Sequence, residues 1–277
     1  LLSTARPTAM LARFLTVVIA APLVIAVIGL MGLGASFALL VAACLPAMYE
    51  YYAMALPGAK KAEVYGCLAL GALVLAAALA DAAANTPALL AAGMCVAAFV
   101  LIFVAYICRG GSVPFDRIVT LFFGIFYVAL LSSFLILLRA VPAGVSLVFF
   151  LLFVTWAGDI GAYLIGRALG SHPLCPRVSP AKTVEGSCGG VLFSLAAAFG
   201  CRALFMQNIT PAHCIAMAAG INILNQIGDL SESAIKRACG VKDSGRILPG
   251  HGGVLDRIDS LLFAAPFLYY YIRLSAS

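Results

Sequence analysis

Long apolar runs separated by short polar breaks dominate the chain. A helix of about 20 apolar residues is long enough to cross a bilayer. Nine runs approach or reach that length: 14–31, 35–56, 64–80, 87–108, 118–138, 145–168, 188–206, 211–229 and 256–274. The shortest and most Gly/Ala-rich runs are candidates for tilted or re-entrant segments, and 14–56 for a hairpin dipping into the bilayer. The pattern predicts an all-α polytopic membrane protein with about nine transmembrane helices.

Composition supports that class. The 277 residues are 64% hydrophobic and 10% charged, whereas soluble domains carry roughly 25% charged residues. Charge then supplies an orientation. If the runs alternate across the membrane, one side receives 14 of the 17 Lys and Arg residues and the other only Arg139, Arg202 and Arg273. The positive-inside rule makes the richer side cytoplasmic. The expected N-terminus is therefore cytoplasmic, the first run is a retained helix rather than a cleaved signal peptide, and the C-terminus lies outside. The two longest polar connections, 169–187 and 230–255, fall together on the cytoplasmic side and predict a polar cavity facing it.

Two function classes drop out. There is no basic tail and no aromatic-basic interleaving, so nucleic acid is not an expected partner. Nine scattered cysteines form no CxxC pair, and the three histidines form no HExxH pattern; the thiols read as buried.

The polar residues that interrupt the apolar pattern carry the candidate chemistry. NILNQIGDLSESAIKR crowds Asn222, Asn225, Gln226 and Asp229 into the end of the eighth run. Ionisable groups at such depth face a cavity, a partner or an ion. Glu232 and Ser233 follow Asp229 at spacings that share a helix face. Asp256 and Asp259 open the ninth run, either as first-turn charges favoured at a helix N-terminus or as cation ligands. Carboxylates suit a hard cation such as Mg²⁺, with Asp229 and Asp256 the main candidates and Glu232 and Asp259 the weaker ones.

Lys236, Arg237, Lys242, Arg246 and Arg257 would oppose a cation alone, but fit a cation shared with phosphate. Gly250, Gly252 and Gly253 permit close backbone approach before a helix. In the sixth run Asp159, Tyr163 and Arg167 recur every four residues, as pocket groups or as an internal pair with an interfacial tyrosine. SPAKTVEGSCGG adds Ser179, Lys182, Thr183, Glu185 and Ser187 as candidate contacts to a nucleotide or lipid headgroup, with Lys182 the best phosphate candidate in that loop. Neither a P-loop nor a serine-hydrolase elbow is present.

The uninterrupted stretch SAIKRACGVKDSGRILPGHGGVLDRID, 233–259, resembles the phosphatidate cytidylyltransferase (CDP-diacylglycerol synthase) signature, a Ser-x₂-Lys-Arg-x₄-Lys-Asp run leading through a PGHGG-like turn to D-R-x-D. GDIGAYLIGRALG (158–170) and SPAKTVEGSCGG (179–190) also resemble family segments in the expected order. The resemblance implies transfer of CMP from CTP to phosphatidate, with Mg²⁺ or Mn²⁺ required and K⁺ in a neighbouring position. It also implies a homodimer in the inner membrane, in contact with membrane lipids. Asp229 and Asp256 become the catalytic-metal carboxylates. Lys242 joins the phosphate contacts, and His251 either orients phosphate and assists the leaving group or stabilises the turn. On this reading 1–140 is a transmembrane scaffold available for dimer or lipid contacts, and 141–277 the catalytic transmembrane region. The rival readings are a membrane transporter and a CTP-dependent lipid or polyprenol kinase.

Overall fold

A computed structural model describes residues 22–108, 114–245, 247 and 252–275. Its helices are α1 (22–30), α2 (Leu33–Ala55), α3 (Lys61–Ala84), α4 (Leu89–Cys108), α5 (Phe115–Gly124), a π-helical segment (Ile125–Leu130), α6 (Leu131–Ala140), α7 (Gly144–Leu169), α8 (Val184–Phe205), α9 (Pro211–Ala238) and α10 (Leu255–Ser275). A two-stranded antiparallel hairpin, β1 (Pro173–Cys175) and β2 (Ser179–Thr183), separates α7 from α8. The chain divides into two compact units: residues 1–136 with 241–257, and residues 137–240 with 258–277.

Among the described residues, six helices are long and apolar enough to cross a membrane: α2, α3, α4, the continuous Phe115–Ala140 helix, α7 and α8. The protein is thus an α-helical membrane protein. The expected runs at 211–229 and 256–274 appear as α9 and α10, whose polar residues keep them outside that set. The expected run 14–31 lies mostly outside the described residues, which show helix from 22 to 30.

In the first unit, Met48, Tyr52, Leu75, Ile125 and Val128 are fully or almost fully buried. The π-helical segment has a local cause. Tyr51 and Tyr52 of α2 pack where Gly124 has no side chain. Their hydroxyls donate to the carbonyls of Thr120 (3.3 Å) and Leu121 (2.7 Å), beside the point where the helical ladder changes register. Asp81 stops α3 and starts α4, accepting from the amides of Leu90 (3.1 Å) and Ala91 (2.8 Å).

In the second unit, α7 and α8 meet along glycines. A side chain at Gly161 would meet Phe193, one at Gly189 would meet Ile165, and one at Gly186 would meet the carbonyl of Ala162. Such small-residue seams let membrane helices approach closely. Pro173, Pro176 and Pro180 deny this connection a helix. The chain instead turns at Cys175–Val178 and pairs Pro173 with Thr183 and Cys175 with Ser179. The Thr183 hydroxyl then accepts from the Gly186 amide at 3.1 Å and caps α8. Thr210 caps α9, with Pro211 at its first position. α9 does not end with the apolar run; its 28 residues continue through the polar stretch to Ala238.

Candidate functional site

The polar face of α9 organises the second unit. Asn222 and Asn225 are buried, and burying such amides without partners is costly. Each is paired. Asn222 Nδ2 donates to Ser194 Oγ (2.8 Å), which donates to the Val154 carbonyl (2.9 Å). Gln226 Nε2 donates to Asn222 Oδ1 (2.5 Å), and Ser187 Oγ donates to Gln226 Oε1. Asn225 Nδ2 donates to Asp159 Oδ1 at 2.8 Å. This network ties α7, α8 and α9 together and fixes the carboxylate of Asp159.

Next to it lies a cavity of about 410 Å³ between α7, the hairpin, α8 and α9. Eight of the residues singled out in the sequence line it: Asp159, Tyr163, Arg167, Lys182, Thr183, Ser187, Gln226 and Asp229. Lys182 Nζ reaches Asp229 Oδ2 at 2.5 Å, with the two side chains 27% and 38% exposed. Arg167 Nη1 donates to the Tyr163 hydroxyl at 2.8 Å. The cavity therefore presents two carboxylates, an ammonium and a guanidinium, all within reach of solvent. Ser233 Oγ stands 3.5 Å from Asp229 Oδ1, one turn further along α9.

Other expected residues sit elsewhere. Glu185 accepts from the amides of Ser171 (3.1 Å) and His172 (3.2 Å) and pairs with His172 Nδ1 (2.5 Å), which fastens the start of the hairpin to α8. Ser179 opens β2 opposite Cys175. Lys236 Nζ contacts Glu232 Oε2 at 2.6 Å in a pair whose side chains are 12% and 1% exposed. Asp259 is also buried and its side chain bonds to Glu232. Gly228 of α9 has no side chain where the backbone of Asp259 and Ser260 in α10 packs against it. Arg237 lies in the last turn of α9.

Lys242, Asp256 and Arg257 belong to the first unit. There Asp256 Oδ2 accepts from the amides of Gly253 (2.8 Å) and Ser244 (3.2 Å), so the first-turn role open to it in the sequence is realised. Gly252 takes a φ of +81°, a conformation open mainly to glycine. Arg246, Gly250 and His251 lie outside the described residues. Among the described residues, no three His, Cys, Asp or Glu side chains are grouped to hold a metal by themselves.

One prominent residue escapes the sequence pattern. Glu50, in the apolar run of α2, is buried in the first unit and accepts at Oε2 from the Leu255 amide (3.0 Å) and from Ser244 Oγ (3.3 Å). Its one legible signal is a lone carboxylate within CLPAMYEYYAMAL.

Helices fit for a membrane, together with a solvent-accessible pocket of carboxylate and basic side chains, define an integral membrane protein equipped to hold a charged ligand. The chain belongs to the cytidylyltransferase family, whose model matches residues 11–275. It is 39% identical over 161 residues to the phosphatidate cytidylyltransferase of Bacillus subtilis (strain 168), covering 58% of this chain and 60% of that protein. It is 44% identical over 153 residues to the phosphatidate cytidylyltransferase of Brucella suis biovar 1 (strain 1330), covering 53% and 55%. An uncharacterized Escherichia coli K12 protein, YnbB, is 47% identical over 136 residues, covering 48% and 44%. The matched part spans about half the length of these curated relatives.

Proposed function

We propose that this protein transfers CMP from CTP to phosphatidate, giving CDP-diacylglycerol and pyrophosphate. The observation that carries the reading is the cavity where Asp159, Asp229 and Lys182 converge, in a family whose named relatives include phosphatidate cytidylyltransferases. A phosphate oxygen of phosphatidate forms a bond to the α-phosphorus of CTP. The bond from that phosphorus to the oxygen bridging the β-phosphate breaks, and pyrophosphate leaves with the electron pair. The attacking oxygen is already anionic near neutral pH, so the main obstacle is repulsion. Two unit charges 4 Å apart repel by about 4 kcal/mol at an effective dielectric of 20.

The residues fit a hard divalent cation. The cavity's acidic and hydroxyl groups are oxygen donors, and Mg²⁺ typically binds one or two carboxylates and completes its shell with water and substrate phosphates. We assign cation binding to Asp229 in the second unit and to Asp256 in the first, with Glu232 and Asp259 as weaker candidates. Mg²⁺ or Mn²⁺ would neutralise phosphate charge, and K⁺ is the candidate for a neighbouring position. Lys182 and Arg167 attract phosphate to the cavity, and Ser233 and Asn225 hold the carboxylates of Asp229 and Asp159. Lys236, Arg237, Lys242, Arg246, Arg257 and His251 remain candidates for phosphate contact, and Ser179, Thr183 and Glu185 for support of the hairpin edge.

Membrane placement suits this chemistry. The acyl tails of substrate and product stay in hydrocarbon, avoiding a transfer cost of about 0.8 kcal/mol per CH₂. We further propose nine spans in a bacterial inner membrane, an N-terminus and polar cavity facing the cytoplasm, an external C-terminus and a homodimer.

The test is purified protein in phosphatidate-containing vesicles with Mg²⁺ and CTP labelled at the α-phosphate. Equimolar labelled lipid and pyrophosphate are expected, with both lost in a folded Asp229→Asn protein. Release of CDP would identify a kinase instead, and solute flux without nucleotide turnover a transporter.

A further inference from the structure

The chain carries a buried carboxylate outside the cavity, and its surroundings assign it a task. Glu50 is 3% exposed in α2. Its Oε2 accepts from the Leu255 amide (3.0 Å) and the Ser244 hydroxyl (3.3 Å), and the Val254 amide also bonds to this side chain. Those two amides are at the start of α10, where helical N–H groups lack partners within the helix. Glu50 therefore caps α10 from a helix about 200 residues earlier in the chain, and its negative charge suits the positive end of the helix dipole.

The same segment orients Asp256. Ser244 contacts Glu50 through its hydroxyl and Asp256 through its amide. Gly253 donates its amide to Asp256 Oδ2 at 2.8 Å. A side chain at Gly245 or at Gly253 would collide with the Glu50 carboxylate. Two glycines of the KDSGRILPGHGG stretch are thus explained by the carboxylate that occupies the space beside them.

We infer that Glu50 is a positioning residue: it anchors Ser244 and the start of α10 to α2 and, through Ser244, sets the orientation of the Asp256 carboxylate for a divalent cation. The cation part rests on the proposed function; the anchoring part does not. Residues that orient a metal ligand typically alter metal affinity or activity 10–100-fold when changed.

Two readouts test this on the full-length protein in detergent or nanodiscs: hydrogen exchange of peptides carrying Ser244 and Leu255, and the Mg²⁺ concentration that half-activates CMP transfer. Glu50→Leu removes the acceptor at similar volume, Glu50→Gln keeps one acceptor oxygen, and Ser244→Ala breaks the link more gently and serves if Glu50→Leu does not fold. In Glu50→Leu, exchange at these peptides should accelerate while α3 and α4 peptides stay unchanged. The half-activating Mg²⁺ concentration should rise about tenfold or more, with a smaller change in the KM for CTP. Glu50→Gln should recover most of both effects, and Ser244→Ala should show part of them. A folded Glu50→Leu or Ser244→Ala protein with wild-type exchange at these peptides overturns the anchoring. Faster exchange with an unchanged Mg²⁺ requirement overturns the positioning of Asp256. If the wild-type protein transfers no CMP, the proposed function fails on its own while the exchange readout still decides the anchor.

Discussion

Two ion pairs made by α9 have different consequences because they differ in exposure. Lys182 and Asp229 are partly exposed, and pairs of that kind contribute about 0–1 kcal/mol to stability. Lys182→Gln should therefore leave thermal unfolding in detergent almost unchanged, yet reduce kcat/KM for CTP about 10²-fold, as loss of a group facing developing charge typically does. Glu232 is buried and the Lys236 side chain is only 12% exposed. Removing one member of a buried pair costs about 3–5 kcal/mol, so Glu232→Leu should lower the unfolding midpoint sharply in the same scan. Equal sensitivity of the two pairs in both assays would contradict this division. The sequence offered both Lys182 and Lys236 as candidate phosphate ligands, because a lysine's letter says nothing about its burial.

Among the elements, the α7–α8 seam and the hairpin between them place the cavity. Gly161 and Gly189 leave no room for a side chain beside Phe193 and Ile165. Gly189→Val should overpack this seam at a cost of about 1–3 kcal/mol and displace Thr183 and Lys182 from α7. Lower thermal stability together with lost CTP protection against proteolysis is the expected result; full protection by CTP would show that the seam does not set the cavity. The helices were legible in the apolar runs, and the polar end of α9 was visible as an anomaly. The hairpin was read as a polar connection, since a short proline-rich stretch shows no period long enough to distinguish a strand from a loop. The extension of α9 to Ala238 was legible only in part: the spacing of Asp229, Glu232 and Ser233 suited one helix face, but helix continues where apolarity stops.

At the scale of the whole molecule, six helices among the described residues are apolar and long enough to cross a membrane, and the polar content of α9 and α10 separates them from that set. If both cross, as we propose, the charge asymmetry places the C-terminus outside. A reporter joined after the last residue should then be active only on the external side. Cytoplasmic activity would remove one span from the proposed count. A chelator should abolish CMP transfer, and Mg²⁺ or Mn²⁺ should restore it; transfer persisting after exhaustive chelation would exclude the cation assignment.

The sequence by itself determined the membrane class, the helical periodicity and the chemical types gathered near residues 159–187 and 229–259. Apolarity, period and charge are local properties that survive in a one-dimensional pattern. Only the tertiary structure decided which of those residues share a cavity, which bury their charges in pairs, and that a carboxylate in α2 caps α10. Those outcomes depend on contacts between residues tens to hundreds of positions apart, and Glu50, alone in an apolar run, acquires its partners only when Ser244 and Leu255 come to lie beside it.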